Sequence, residues 1–287
     1  MKVPFTKMLS LALLAIAPLG AYAQFTGDTY AAAKSSKSAT LSLTYVETPG
    51  FASKKSEGVE GLCVDLMEEF ARYVKEKEGI AIKYRWQLAD DPRDFARFMK
   101  NMASAKAGVF GLGNITITED RKQQFNFSPP FINNVTVMIS NNSVPTLTEI
   151  TEISTAFAGM YAITVKGTTN EQYILEIKKK YWPSLEVRHT ASSIDLVDIV
   201  KNDPKAFSNM DFTYYIGVLK NHVPIKRHPV ADDSSEEFGI IMPKSNDWSP
   251  LMANFINEFK GTTEYDILIN KHLGKNALAL IKAVSSQ

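Results

Sequence analysis

Strand-like and helix-like segments alternate through most of this chain, and this alternation limits the folds open to it. Residues 40–45 alternate at the period of two typical of strands, and residues 61–77 have apolar side chains at helical spacing. A second run of the same kind begins near residue 161. Strands separated by helices predict parallel sheets with helices on both faces. Two runs of about a hundred residues predict an α/β protein with two lobes.

The composition is that of a soluble globular protein, with 45% apolar and 22% charged residues. The formal net charge of +1 excludes nucleic-acid binding through bulk positive charge, and no nucleic-acid partner is predicted. Cys63 is the single cysteine, which excludes an internal disulfide and a multi-cysteine metal site. Because Leu62, Val64 and Leu66 flank it, we expect a buried, inert thiol.

The first 23 residues have the pattern of a secretory signal peptide. Two lysines precede an apolar stretch that is too short to span a bilayer comfortably, and a small-x-small triplet ends at Ala23. We therefore predict cleavage after Ala23 and export to the periplasm, with a buried N-terminal helix as the alternative. Residues 24–39 are polar and small, and we expect a flexible arm there.

Polar residues that follow predicted strands are the candidate binding groups, because ligands in such sheets bind beyond the carboxyl ends of strands. After the strand at 107–112, the chain carries Asn114, Thr116 and Arg121. An arginine can hold a carboxylate through two hydrogen bonds, and nearby hydroxyls can complete the anion site. The alternative, which the sequence leaves equally open, is that the threonine caps the next helix and the arginine lies on the surface.

Two more candidate groups follow strands of the second run. Thr168 and Thr169 open a helix whose N terminus can bind an anion, although N-capping is the commoner role. Asp211 follows a strand, where it can pair with an ammonium group or cap the next helix. A buried amino acid needs partners for both of its charges. Arg121, Thr116 and Thr168 would then bind the carboxylate. Asp211 would bind the ammonium group.

Motifs for catalysis or metal binding are missing from the sequence. The four histidines form no HxxxH or HExxH pair, and there is no GxSxG motif. The glycines at 111 and 113 lack the third glycine and the acidic partner of a dinucleotide-binding turn. We therefore predict no metal, no cofactor and no catalytic residue.

Several stretches resemble the periplasmic substrate-binding proteins of polar amino-acid ABC importers, the bacterial extracellular solute-binding proteins of family 3. The similarity spans roughly residues 42–274. The stretches are GLCVDL at 61–66, ITITEDR at 115–121 followed by FSPPF at 127–131, VKGTT at 165–169, and FGIIMPK at 238–244 with HLG at 272–274.

This resemblance implies the type II periplasmic-binding-protein fold, with two lobes joined by two hinge strands. Lobe 1 would be discontinuous and comprise residues 40–137 and 238–287, and lobe 2 would comprise residues 138–237. The two strands would cross between the lobes near residues 135–141 and 237–243. Closure around a ligand would be a hinge motion.

The resemblance also implies roles for individual residues. Thr116 and Arg121 would hold the ligand α-carboxylate, helped by the turn at Thr168 and Thr169. Asp211 would hold the α-ammonium group, together with a backbone carbonyl near Asn114. The residues expected to meet the ligand side chain are Tyr45, Glu47, Phe51 and Trp86.

The implied function is that of a monomeric periplasmic receptor, which binds a small amino-acid-like ligand and delivers it to an ABC permease in the inner membrane without catalysis. One alternative is a cleft enzyme of the cyclohexadienyl dehydratase type, for which Glu47 and Glu171 are the candidate acids or bases. The other alternative is a periplasmic ligand sensor for a membrane receptor.

Overall fold

The computed structural model describes residues 25–88 and 91–285. The predicted signal peptide and its cleavage site lie outside these residues. Up to the first crossing between the lobes, the helices and strands are β1 (Thr26–Gly27), α1 (Tyr30–Ser36), β2 (Ser38–Tyr45), β3 (Ser53–Lys55), β4 (Gly58–Glu60), α2 (Leu62–Glu78), β5 (Ala81–Trp86), α3 (Phe95–Ser104), β6 (Lys106–Ala107), β7 (Val109–Leu112), α4 (Glu119–Gln124) and β8 (Phe125–Phe127).

The chain then builds the second lobe and returns to the first. The remaining helices and strands are β9 (Ile132–Asn141), α5 (Ile153–Ala156), β10 (Tyr161–Val165), α6 (Thr169–Tyr181), β11 (Val187–Thr190), α7 (Ser193–Asn202), β12 (Ala206–Asp211), α8 (Phe212–Lys220), β13 (Ile225–Arg227), β14 (Asp233–Phe238), β15 (Ile241–Pro243), α9 (Ser249–Phe259), α10 (Thr263–His272) and α11 (Lys275–Ser285).

Each lobe contains a mixed sheet with a parallel centre. In lobe 1 the strand order is β5-β2-β7-β15-β8, with β2 parallel to β5 and β7, and β15 antiparallel to its neighbours. In lobe 2 the order is β11-β10-β12-β9-β13, with β10 parallel to β11 and β12. The predicted parallel pairing therefore holds for strands joined through helices. It fails for the strands that cross or return between lobes, which are antiparallel.

The two lobes are joined by the paired strands β9 and β14. They are antiparallel and run from the pair Ile132 and Phe238, which lies in the core of lobe 1, to the pair Thr136 and Asp233 in the lobe 2 sheet. The second crossing strand therefore precedes most of the predicted range of 237–243, since β15 already belongs to lobe 1. The acidic β14 sequence has no apolar alternation that would reveal a strand. The residue boundaries of the lobes stay predictions.

The N-terminal segment is ordered, in contrast to the flexible arm predicted for residues 24–39. Strand β1 pairs with β6, and the N-terminal N–H groups of α1 at Tyr30 and Ala31 donate to the Asp247 carboxylate at 2.8 and 3.0 Å. Ala33 is buried, and the Tyr30 ring packs 5.1 Å from the ring of Trp248. Asp247 and Trp248 lie more than 200 residues away in sequence, so local polarity gave no sign of them.

Cys63 lies on α2 in the core of lobe 1, as predicted. It is fully buried, and its thiol donates to the carbonyl oxygen of Gly113 at 3.5 Å. Burial raises the pKa of this thiol to about 12, so the reactive thiolate is disfavoured. Among the described residues, none of the helices is both long enough and apolar enough to cross a membrane.

Candidate functional site

A cavity of about 50 Å³ lies between the lobes, at the carboxyl ends of β2, β7, β10 and β12. A void of this size has room for a few water molecules. It brings together seven of the residues that the sequence predicted, which are Glu47, Asn114, Thr116, Arg121, Thr168, Thr169 and Asp211. The complete lining is Val46, Glu47, Thr48, Arg93, Phe95, Asn114, Thr116, Arg121, Val165, Thr168, Thr169, Asn170, Ala191, Ser192, Ser193 and Asp211.

Arg121 forms the cationic end of the cavity. The N-cap residue Thr118 positions it by accepting the Arg121 backbone N–H at 3.2 Å. The guanidinium group donates to the carbonyl oxygens of Thr116 at 2.8 Å and of Gly167 at 3.3 Å, and it lies 5.3 Å from the centre of the Phe95 ring. Burial lowers the pKa of Arg121. Because these carbonyl oxygens carry only partial charges, the guanidinium group could still donate hydrogen bonds to a ligand carboxylate.

The threonines at 116, 168 and 169 have two kinds of hydrogen-bond partner. The Thr116 hydroxyl lies 3.2 Å from that of Thr169, which joins lobe 1 to lobe 2. Thr168 is the N-cap of α6: its hydroxyl accepts the Glu171 N–H at 3.2 Å and donates to the Val165 carbonyl at 2.7 Å. The capping interpretation therefore describes Thr168, while the hydroxyl of Thr169 faces the opposite lobe.

Asp211 forms the anionic end of the cavity and is 5% exposed. It occupies the cap position of α8, yet its side chain makes no capping hydrogen bond. Its carboxylate instead accepts from the Asn114 amide across the cleft and from Asn134 Nδ2 at 2.9 Å. The capping alternative from the sequence is therefore wrong, because the carboxylate pairs with these two amides.

A second carboxylate lies close to Asp211. Asn134 Nδ2 also donates to Glu236 Oε2 at 3.0 Å, and the Thr136 hydroxyl donates to the same oxygen at 2.8 Å. Burial, followed by the negative charge of Glu236, raises the pKa of Asp211 well above its ordinary value of 3.8. Hydrogen bonds from Asn114, Asn134 and Asn170 act in the opposite direction. A cation beside the buried Asp211 would offset this negative charge.

Three predicted residues lie away from the cavity. Tyr45 and Phe51 are fully buried in the core of lobe 1, and Trp86 packs against that core. The Tyr45 ring meets Trp86 edge-on at 5.9 Å, and the Phe51 ring meets Phe238 edge-on at 5.8 Å. The expectation that these three rings meet the ligand side chain is therefore not supported by their positions, because their contacts are with the core.

The two candidate acids of the enzyme alternative already have partners. Glu47 lines the cavity, and its carboxylate accepts the Lys54 backbone N–H at 3.1 Å. Glu171 accepts the Gly167 N–H at 2.7 Å and lies 2.5 Å from His189 Nε2. Glu171 therefore stabilises the turn that leads into α6.

The sequence reasoning missed part of the cavity wall. The Thr48 hydroxyl lies 3.0 Å from Asn114 Oδ1, which orients the Asn114 amide so that its N–H₂ group faces Asp211. Arg93 lines the cavity as a second cation, with Nε 3.2 Å from Asp91 Oδ1. Thr48 comes after β2 and Arg93 after β5, yet the sequence analysis selected Tyr45, Glu47, Phe51 and Trp86 from these parts of the chain. Other residues missed are Phe95, Asn170, Ala191, Ser192 and Ser193.

Solved structures with the same fold include amino-acid receptors. The arginine-, lysine-, histidine-binding protein ArtJ from Geobacillus stearothermophilus matches with TM-score 0.66 and 16% identity, over 82% of this chain and 96% of ArtJ. The Drosophila muscle GluRIIB complex with glutamate matches with TM-score 0.69 and 16% identity, over 82% of this chain and 99% of that one. At these identities the similarity concerns the fold, which is the type II periplasmic-binding-protein fold.

A sequence relative matches this chain over part of its own length. The membrane-bound lytic murein transglycosylase F of Pseudomonas fluorescens is 22% identical over 154 residues, which amount to 54% of this chain and 29% of the relative. The chain thus matches less than a third of that protein's length. Residues 43–275 match the bacterial extracellular solute-binding proteins, family 3, and the chain belongs to this family.

Proposed function

We propose that this protein is a periplasmic receptor that binds a small amino-acid-like ligand between its lobes and delivers it to an ABC permease. The observation that carries the proposal is the pair of opposite charges at one cavity. Arg121 lies on one side with backbone carbonyls as partners, and Asp211 lies on the other among amides. A zwitterion satisfies both groups at once.

The ligand α-carboxylate is assigned to the Arg121 end. Arginine presents a planar pair of N–H donors that fits a carboxylate, and such charged bonds are stronger than bonds to neutral carbonyls. The hydroxyls of Thr116 and Thr169 lie on this wall, 3.2 Å apart, and either can donate to a ligand oxygen. A carboxylate would therefore exchange the carbonyl partners of Arg121 for a full negative charge.

The ligand α-ammonium group is assigned to Asp211. The carboxylate is buried, and its amide donors compensate only part of its charge. An ammonium group within hydrogen-bond distance would favour the ionised carboxylate. The backbone near Asn114 offers a further acceptor in this proposal.

Hinge closure is the step that completes such a site. Both walls already contact each other through Asn114 with Asp211, Thr116 with Thr169, and Arg121 with Gly167. Each pair joins lobe 1 to lobe 2, so a ligand that bridges the lobes shares these groups and favours the closed arrangement.

The thermal stability of the mature chain tests ligand binding. A ligand at a hundred times its Kd adds about 2.7 kcal/mol to the free energy of unfolding. We expect at least one L-amino acid in a panel to raise the melting temperature, and Arg121→Ala to abolish the rise. The matched control is Arg72→Ala, which removes an exposed arginine that pairs with Glu69. A rise that persists in Arg121→Ala contradicts the assigned carboxylate role.

Transport needs a separate experiment. If the protein is an import receptor, the ligand-loaded wild type should stimulate ATP hydrolysis by its reconstituted transporter. The Arg121→Ala variant should give no stimulation. Binding without stimulation would favour the sensor alternative. Turnover of prephenate or arogenate would favour the enzyme.

A further inference from the structure

A smaller void of about 20 Å³ continues from the cavity into lobe 2 beside Asp211. It shares Val165, Thr168, Asn170 and Asp211 with the wall of the main cavity. We call this void the deep pocket, and define it by Asn170, Asn209, Asp211, Tyr214 and Leu196. None of the roles assigned above uses it.

Asn209 is the most unusual residue of the deep pocket. It lies on β12 two residues before Asp211, and alternate strand residues face the same side of a sheet. The residue is 1% exposed, and neither its amide nitrogen nor its amide oxygen has a hydrogen-bond partner among the described residues. An unmade hydrogen bond on a buried polar group is destabilising, and native structures rarely leave both atoms of an amide unpaired.

Asn170, the second residue of α6, adds a third unpaired atom. Its side chain lines the deep pocket together with Asp211. The buried Asn170 Oδ1 has no partner in the described part of the chain. The deep pocket therefore presents one N–H₂ donor and two amide oxygens. Turning the Asn209 amide by 180° exchanges its two atoms and leaves the same set.

We propose that the deep pocket binds the side-chain carboxamide of the ligand, so that the receptor selects an uncharged, amide-bearing amino acid. This proposal rests on the proposed function. The ligand N–H₂ group donates to the oxygens of Asn209 and Asn170, while its carbonyl accepts from Asn209 Nδ2. All three unpaired atoms are then satisfied, and the ligand backbone stays beside Asp211.

Other side-chain chemistries fit this set less well. A carboxylate has no hydrogen to donate and would face two amide oxygens. An ammonium or guanidinium group has no acceptor for Asn209 Nδ2. An aliphatic end would leave all three polar atoms unpaired, and the small volume excludes rings. Sites built around hydrogen bonds reject analogues that lack the matching group by large factors.

Isothermal titration calorimetry on the wild type and on Asn209→Leu tests the proposal. The probes are asparagine and glutamine with their apolar near-isosteres leucine and methionine and their acidic isosteres aspartate and glutamate. We expect the wild type to bind one amide at least ~10-fold tighter than its two isosteres. Asn209→Leu should weaken amide binding at least ~10-fold and favour the apolar isostere. The matched control is Asn257→Leu on the exposed face of α9.

Folding and binding are separated by the unfolding temperature. Asn209→Leu replaces unpaired polar atoms with a side chain of similar size, so its melting temperature should equal or exceed that of the wild type. If the wild type binds leucine as tightly as asparagine, or if Asn209→Leu keeps the wild-type preference, the pocket holds a water molecule only and the proposal is wrong. Binding that depends on Arg121 would still support the proposed function in that case. Failure of every amino acid to bind overturns both proposals.

Discussion

Two buried titratable side chains, Asp211 at the cavity and His228 in lobe 2, are surrounded by partners in opposite ways. Asp211 takes its hydrogen bonds from a lobe 1 loop at Asn114 and from the hinge strand at Asn134. His228 takes all of its bonds within lobe 2: Nδ1 accepts the Leu147 N–H at 3.0 Å, and Nε2 lies 2.7 Å from the Ser140 hydroxyl. The hydrogen bonds of Asp211 therefore depend on how the two lobes meet, whereas those of His228 do not.

The charge balance at these two sites differs as well. His228 accepts a backbone N–H at Nδ1, so its neutral form carries the proton on Nε2 and donates to Ser140. Burial, followed by the nearby charge of Lys226, lowers the pKa of His228 from 6.5 to about 4. Its neutral form is therefore fully satisfied. Burial, followed by the negative charge of Glu236, instead raises the pKa of Asp211. A nearby positive charge would offset this effect. In the proposed function a ligand cation supplies this charge, whereas neutral His228 needs no further partner.

The largest effect on ligand affinity is expected from Asp211→Asn. Losing one partner of a buried charge pair typically costs 3–5 kcal/mol, so we expect ligand affinity to fall at least ~100-fold. Without ligand, the variant should melt at the same temperature as the wild type or higher, because the neutral amide removes the repulsion with Glu236. Calorimetry and thermal unfolding measure the two effects.

The control for this change is Asp198→Asn, which alters an exposed carboxylate on α7 that pairs with Lys201. It should change neither affinity nor melting temperature by much, since surface ion pairs contribute about 0–1 kcal/mol. A loss of stability in Asp211→Asn equal to its loss of affinity would mean that Asp211 has a structural role, and the comparison with His228 would fail.

His228→Asn tests the structural member of the pair. The pKa of His228 is lower in the folded protein than in the unfolded chain. The contribution of His228 to stability is therefore fully present above pH 6.5 and is lost as the pH falls towards 4. The expected loss over this window is roughly 3 kcal/mol, and the variant should lack this part of the pH dependence. Asn was chosen because it keeps an acceptor for the Leu147 N–H. Urea unfolding at several pH values measures the slopes.

Asp211 contributes a slope of the opposite sign. Its pKa is raised in the folded state, so stability is greatest at low pH and is lost as the pH rises above about 4. Asp211→Asn should therefore remove a fall in stability, whereas His228→Asn removes a rise. Parallel pH profiles for the two variants would contradict the opposite charge balances.

The fold and the charged ends of the cavity were accessible from the sequence because both depend on chain direction. Arg121 and Asp211 each follow a strand, and the need of a buried amino acid for partners at both of its charges predicted that they share one ligand, without knowledge of their contacts. The same rule, with strand alternation, indicates that Asn209 faces the side of Asp211, although the sequence reasoning did not apply it.

Other features depend on packing that no local pattern encodes. Tyr45 and Trp86 end their strands, where a ligand contact was expected. Their rings instead lie in or against the core because of the way lobe 1 packs. The order of α1 depends on Asp247, more than 200 residues later in the chain. Sequence spacing also left the alternatives at Thr168 and Asp211 open, and hydrogen-bond partners distinguish them.

The neighbours Thr168 and Thr169 repeat the comparison on a smaller scale. Thr168→Val removes the N-cap of α6 and should lower the free energy of unfolding by about 1 kcal/mol. Thr169→Val removes the hydroxyl that faces Thr116 across the cleft, and should lower ligand affinity a few-fold while lowering the melting temperature of the free protein less than Thr168→Val does. Each variant is the matched control for the other in the same two assays. Equal effects of both variants on melting temperature would show that binding and structural hydroxyls are not separated in this turn.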